Sequence, residues 1–314
     1  MRKLLDRDNR ALLMGVLLFT LFFRLATLMM INTGVDERDY WFSAKALSHG
    51  LPYPDLTHRT TRFAIILPVA LAQLILGTHP NVYYVLPVLN ALCQAAIAFV
   101  IGLRLRGRLT GVLAALALVL FPYMARAGSQ VRPEIFSITY VLLVLFCFIE
   151  YMERDARELS PLLWSGAVLF LAYEAKITNI FFLPGLLLVI LIYKKKPVHA
   201  LLLAGMVLFL FAVETGLYAA FTQYKLGELQ IIFARHIESG EPFVVARFVD
   251  LFGRYSSARL QPYWQIPFAL FAIGAVVYLI RGTDKRLCAL SIAALSFFVG
   301  ITFEVAGLHP IAPA

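Results

Sequence analysis

An all-α polytopic membrane protein of about nine transmembrane helices, with further helices lying on its outer face, is the fold class that three observations predict. Of 314 residues, 61% are hydrophobic and only 15% are charged, against about 45–50% and about 25% in soluble domains. Mean hydropathy is +0.78. Apolar runs near the roughly 20 residues that cross a hydrocarbon core recur along the whole length. Together these exclude an ordinary cytosolic enzyme, a disordered chain and a nucleic-acid module. The formal net charge of +9 reads as basic loops that fix orientation in a membrane, with no nucleic-acid partner implied.

The predicted spans are 11–31, 81–103, 109–125, 135–151, 161–173, 178–193, 198–221, 263–280 and 287–305. The first follows MRKLLDRDNR and is too long for a cleaved signal, so it reads as an uncleaved span. A tenth apolar segment, 63–76, holds only 14 residues and contains Pro68 and Gln73. At 1.5 Å per residue it reaches only about 21 Å. Charge decides its fate. With the N-terminus cytoplasmic and 63–76 not crossing, the inner segments hold 15 Lys and Arg in 34 residues, against 12 in about 103 outside. Counting 63–76 as a crossing would put RLRGR, KKK and RGTDKR outside, against the positive-inside rule. The expectation is an N-in, C-out chain with 63–76 re-entrant or at the outer interface.

A single transmembrane domain therefore covers 1–314, with two large outer segments, 32–80 and 222–262. EVAGLHPIAPA stops directly after a span without a polar tail, the pattern of a chain incomplete at its C-terminus. Cys93, Cys147 and Cys288 lie far apart in apolar runs, so neither a disulfide framework nor a thiol metal site is implied.

The first outer segment carries the densest chemistry. In VDERDYWFSAKALSHG, Asp36, Glu37 and Asp39 cluster after the first span. The pattern from Glu37 to His49 is amphipathic, placing Tyr40, Trp41, Ala44 and Leu47 on one face. Gly50 ends it as a C′ residue. This is a helix lying on the membrane with Tyr40 and Trp41 at headgroup level. Asp36 suits an N-cap with Asp39 in the capping-box position, and a carboxylate can both cap and act. DLTHRTTRF then gathers His58, Arg59 and Arg62, cations matched either to a lipid-linked phosphate or to an interfacial anchor. ARAGSQVRPE sets Arg126, Arg132 and Glu134 at the mouth of a span, where Glu134 after Pro133 also suits a helix first turn. Lys176 sits on a short outer turn. Of the charges within spans, Arg24 is expected to snorkel outward, and Glu214 to face the bundle interior.

No Walker A loop, GxGxxG, HExxH or GxSxG occurs, so nucleotide-driven, zincin and serine-hydrolase chemistries lack their motifs. No organic cofactor is expected. The acidic pair is able to help hold a divalent ion, but no complete ligand set is visible.

With these residues in view, the sequence resembles polyprenol-dependent glycosyltransferases of the GT-C superfamily. In pattern it is similar to the protein O-mannosyltransferase and lipid A aminoarabinose transferase group (glycosyltransferase family 39). That family opens with one span, then an outer loop beginning Asp-Glu, then a Tyr and an Ala on a juxtamembrane helix ending at Gly, matched here by VDERDYWFSAKALSHG. A short apolar segment ending in Gly follows, as in RFAIILPVALAQLILG, and then a basic turn, as in RLRGRLTG. A Lys before an apolar run with Pro is matched by AKITNIFFLPGLLLVIL. The family's Lys-Pro-Pro start to the short segment is absent, with Arg59 and Arg62 nearby, and family members are usually longer.

The resemblance, over roughly residues 12–195, implies inverting transfer of a sugar from a polyprenyl-phosphate donor to a hydroxyl of a glycan, lipid or protein. The site would lie on the outer or periplasmic face of the plasma (inner) membrane. By carry-over Asp36 is the base, supported by Glu37, and Glu134 is the second acid. Substrate contacts fall to Tyr40, His58, Arg59, Arg62, Arg132 and Lys176. The rival readings are a secondary transporter or lipid-linked sugar flippase, which calls for midplane charges and paired halves, and a non-catalytic membrane scaffold. The topology has a direct test: cysteines introduced at Thr78 or Asn81 should react with impermeant reagents added from outside. Reaction only from the cytoplasmic side would overturn it.

Overall fold

The computed structural model describes residues 6–29, 35–121, 124–125, 128–154, 158–222, 230–231, 273–282 and 284–307, with the backbone alone at 35–36, 298 and 300–307. Every regular element among them is helical. We number the main helices α1 (Arg7–Ala26), α2 (Val35–His49), α3 (Phe63–Leu76), α4 (Val85–Arg106), α5 (Arg108–Leu120), α6 (Pro133–Glu153), α7 (Ser160–Ala175), α8 (Phe182–Val189), α9 (Pro197–Phe221) and α10 (Lys285–Gly307). Five described stretches are long and apolar enough to cross a membrane: α1, Pro80–Arg106, α6, Ile177–Lys194 and α9. The helices α5, α7 and α10 overlap three further predicted spans. The remaining predicted span, 263–280, is described only from 273, and nearly all of the outer segment 222–262 lies outside the described residues. The contacts divide the chain into two compact units, Met1–Glu150 with Leu171–Ile177 and Tyr151–Phe170 with Thr178–Ala314.

In the first unit, Asp6 caps α1 by accepting Asn9 N at 2.8 Å. That bond, reinforced by Arg108, holds the Asp6 carboxyl below its ordinary value. Arg108, from the turn after α4, donates to Asp6 at 2.9 Å, Asp8 at 3.1 Å and Asn9 at 2.9 Å. The start of α1 and the α4–α5 turn thus share one end of the bundle. At the opposite end of α1, Tyr84 OH donates to Met29 O at 2.8 Å and Met29 N donates to Ser129 Oγ at 3.3 Å. The chain leaves α1 and enters α4 at this same end, the arrangement expected if the intervening α3 does not cross.

The α4–α5 hairpin is built on glycine. Gly107 adopts φ 94° and ψ −168°, a region essentially closed to residues with a side chain. A Cβ on Gly102 would lie 2.7 Å from Thr110 O, and one on Gly111 would lie 2.7 Å from Phe99 O. The two backbones approach as small residues allow in membranes, and Val16 of α1 packs with Ala95, Phe99, Ala115 and Val119 beside them. The α5 helix stops with Phe121 extended at ψ 123°, the conformation that Pro122 imposes on its predecessor.

α2 ends as read from the sequence. Gly50 has φ 63° and Leu51 N donates to Ala46 O at 3.0 Å, a Schellman closure. Its inward face is revised: Glu37, Tyr40, Ser43, Ala44 and Ala46 are buried, whereas Leu47 is 42% exposed. The reason is that α2 packs along α3, so the stripe facing protein displaces the one expected to face lipid. Within α3, Pro68 has no N–H for Ala64 O. Tyr140 OH of α6 supplies the missing bond at 2.8 Å, which lets a proline sit inside a helix without stranding a carbonyl.

In the second unit, α8 packs against α10. A Cβ on Gly185 would come within 2.8 Å of Ala293 Cα, Phe182 stacks on Phe297 with centroids 4.4 Å apart, and Ser296 Oγ donates to Phe181 O at 2.9 Å. Three predicted inner loops converge here. Tyr151 OH bonds His199 Nδ1 at 2.8 Å, Lys194 donates to Arg154 O at 3.0 Å, and Arg286 pairs with Glu153 and Asp284 at 3.1 Å each. The Arg286 guanidinium holds the Asp284 carboxyl below its usual value.

Glycine spacing in the hairpin yields a stability series. Gly111→Ala should cost about 1–3 kcal/mol through overpacking, and Gly107→Ala a similar amount through backbone strain. Gly205→Ala, where a Cβ meets open space, should be neutral or slightly stabilising. Thermal unfolding of the purified protein in detergent reads all three.

Candidate functional site

At the end of the first unit where α1 finishes, α2 presents three polar side chains within a single turn, and each holds an arginine. Glu37 is 3% exposed and accepts Arg132 Nε at 2.5 Å. Asp39 Oδ2 lies 3.5 Å from Arg59 Nη1. Tyr40, fully buried, accepts Arg62 Nη1 on its hydroxyl at 2.8 Å. The apolar floor beneath them is Tyr40 and Ala44 of α2, Ala64, Ile65, Ile66, Val69 and Ala70 of α3, and Tyr83, Val131, Ile135 and Phe136.

The cations are fixed by their loops. Arg59 and Arg62 leave a turn wound by threonines: Thr57 N donates to Thr60 Oγ1 at 2.7 Å, Thr60 Oγ1 to Asp55 O at 2.8 Å, and Thr61 Oγ1 to Thr57 O at 2.9 Å. Such hydroxyl-to-backbone bonds replace regular structure in tight turns. Tyr53 locks this turn by donating to Thr60 O at 2.6 Å. Burial raises its hydroxyl pKa to about 12, so it keeps the proton it donates throughout the physiological range. Arg132 directly precedes Pro133, the first residue of α6. Val131 N donates to Tyr83 OH at 3.0 Å, which pins the backbone next to it. Glu134, in the first turn of α6, pairs with Lys176 Nζ at 3.4 Å.

Nearly every residue singled out from the sequence is therefore gathered at one end. Glu37 meets Arg132, Glu134 two residues later meets Lys176, and Asp39 and Tyr40 meet Arg59 and Arg62. His58 stands half-buried on the same threonine turn. Asp36 lies in the first turn of α2, but its side chain, like Arg126, is outside the described residues. Among the described residues no group of three or more His, Cys, Asp or Glu side chains converges as a metal-ligand set.

Sequence reading missed the partners more than the principals. Gln73 of α3 bonds Trp41 O and the Ser48 hydroxyl, each at 3.2 Å, fixing α2 along α3. The repeated threonines of THRTTRF were the available signal for a side-chain-wound turn. Glu174, 4% exposed, lies two residues before Lys176 in the same neighbourhood.

The Glu37–Arg132 pair differs from the others energetically. Asp39–Arg59 and Glu134–Lys176 are longer and partly solvated, worth at most about 1 kcal/mol each. Removing the cation from a buried carboxylate leaves a charge without compensation. Arg132→Gln is therefore expected to cost about 3 kcal/mol, the low end for buried pairs because Arg132 is 30% exposed. Thermal unfolding should show this loss, and Glu37→Gln introduced alongside should recover part of it.

A family model for dolichyl-phosphate-mannose-protein mannosyltransferases matches residues 60–218, just over half of the chain. The matched stretch holds Arg62, Arg132, Glu134 and Lys176 and begins after α2. No curated protein and no solved structure matches the chain. The order of helices, the cation-rich end and the family match converge: this chain belongs to the dolichyl-phosphate-mannose-protein mannosyltransferase family and is a membrane glycosyltransferase of the GT-C type.

Proposed function

We propose that the protein transfers a sugar from a polyprenyl-phosphate donor to a hydroxyl on a glycan, lipid or protein, with inversion, at the outer face of the plasma membrane. The observation that carries this reading is the set of arginines held by α2, with a carboxylate-bearing first turn beside them. Transfer breaks the bond between the anomeric carbon and the phosphate oxygen, and its electron pair leaves with the polyprenyl phosphate. Positive groups already oriented toward that oxygen stabilise the charge as it grows, without reorganising at the moment of reaction. Arg62, Arg59, Arg132 and Lys176 are the groups of suitable charge, with His58 beside them. Their acidic and phenolic partners hold their heads in place.

The acceptor hydroxyl attacks the opposite face of the sugar and gives its proton to a carboxylate. Asp36 is that base. Glu37 is already committed to Arg132, so its part is to anchor the turn that carries Asp36. Glu134 acts through Lys176, and Tyr40 acts by holding Arg62. The dense Lys/Arg loops on the inner side favour an outward orientation for this end, where no nucleotide is needed and the energy of transfer comes from the donor's phosphodiester. The reaction as written needs no organic cofactor.

Membranes carrying the protein, supplied with a radiolabelled polyprenyl-phosphate sugar, should transfer label to an acceptor. Asp36→Asn should lower that rate by about 100-fold or more, the usual worth of a positioned base, with donor KM little changed. Full activity in Asp36→Asn would remove Asp36 from its role. Label that crosses vesicles without joining an acceptor would replace the enzyme by a flippase.

A further inference from the structure

Arg24 was expected to reach outward to the headgroups, and it does not. It is 2% exposed, among the largest fully buried side chains of the protein. Its Nη1 donates to Met124 O at 2.6 Å and its Nη2 to Val119 O at 3.3 Å, while Nε has no partner among the described residues. Val119 O belongs to the last turn of α5, where the final carbonyls lack N–H donors, and Met124 O lies four residues beyond the helix end at Leu120. The negative end of the α5 dipole faces the same cation. A guanidinium inside a membrane bundle is costly, so a purely space-filling role would be met better by an apolar side chain.

The backbone around Met124 is shaped to this cation. Met124 O also accepts Gly128 N at 2.8 Å, and a Cβ on Gly128 would sit 2.5 Å from Arg24 Nη1. Ser129 Oγ accepts Met29 N from the end of α1, and Val131 N donates to Tyr83 OH. The next residue is Arg132, whose Nε bonds Glu37. Met124, Gly128, Ser129 and Val131 are thus tied to Arg24, to each other or to neighbouring elements, and they lead directly into Arg132.

We propose that Arg24 is a positioning residue for the transfer reaction: by holding Val119 and Met124 it sets Arg132 against Glu37, and through Glu37 the first turn of α2. The proposal rests on the reading of this end as the transfer site. It predicts that loss of Arg24 acts through Arg132 and lowers turnover more than donor affinity, because displacement of a charge-stabilising group is felt mainly in the transition state.

The test uses the full chain in membranes, with Arg24→Gln, Arg24→Lys, Arg132→Gln and the Arg24→Gln/Arg132→Gln double variant. Arg24→Gln should lower kcat at least tenfold with donor KM within about threefold, and the double variant should lose no more than Arg132→Gln alone. Arg24→Lys, which retains charge and a donor to one carbonyl, should recover part of kcat. A second readout needs no activity. In a background with Cys93, Cys147 and Cys288 replaced, Ser129→Cys should be protected from maleimide in detergent and become reactive with Arg24→Gln, while Ala95→Cys stays protected. If Arg24→Gln exposes Ala95→Cys as well, the same comparison is made with Arg24→Lys.

Multiplicative losses in the double variant, or an unchanged kcat with Ser129→Cys still protected, would overturn the proposal. Absence of transfer by the wild-type protein would instead overturn the functional reading, and the labelling would then still report whether Arg24 holds this stretch.

Discussion

A carboxylate buried at the end of a membrane bundle must be neutralised by something the fold itself brings to it, and at Glu37 that something is Arg132. The pair joins the first turn of α2 to the residue immediately before α6, elements almost a hundred positions apart in the chain. Burial makes the contact demanding, because either charge left alone would be costly. Once it is made, the remaining geometry of this end follows. Asp39 and Tyr40, one turn along, face the threonine-wound turn and take Arg59 and Arg62. Glu134, one step into α6, takes Lys176. These cations are held in place by groups on an adjacent scaffold; in the proposed reaction that arrangement would let charge stabilise a leaving phosphate without first being oriented.

Beneath that surface the governing constraint is the bilayer's refusal of unsatisfied backbone. Pro68 deprives Ala64 O of a donor, and the Tyr140 hydroxyl restores it. Arg24 donates to Val119 O in the last turn of α5 and to Met124 O beyond it. Between α4 and α6, Gln94 donates to Ile135 O at 2.7 Å and to Thr139 Oγ1 at 3.0 Å, while Thr139 donates to Asn90 at 2.7 Å. Each of these polar residues stands inside an apolar run, and each is consumed by a specific acceptor. Polar glue of this kind fixes helix pairs that share no hydrophobic driving force in lipid.

Much of this was legible in the chain. The closure of α2 at Gly50 follows from apolar spacing and a glycine free to adopt positive φ, whereas its start at Val35 puts Asp36 inside the first turn instead of at the expected N-cap. The expectation that α3 does not cross rests on its length and on where the Lys and Arg residues lie, and the bonds of Arg108 to Asp6 and Asp8 at one end and of Tyr84 to Met29 at the other are compatible with it. Grouping Asp39, Arg59, Arg62, Arg132, Glu134 and Lys176 at one end needed only the expectation that their loops share one side. Which acid takes which cation was not legible, since several pairings satisfy the same charges.

The sequence by itself therefore determined the all-helical membrane class and the placement of the apolar segments that the structure describes, because hydropathy and charge act locally and are summed along the chain. Only the tertiary structure decided that α2 turns Tyr40 and Glu37 inward against α3, and that Arg24 stays inside on two carbonyls instead of reaching for water. Those outcomes depend on which donors and acceptors residues tens of positions away present at a given depth. Neither periodicity nor composition carries that information, because the partner is supplied by the packing of other helices.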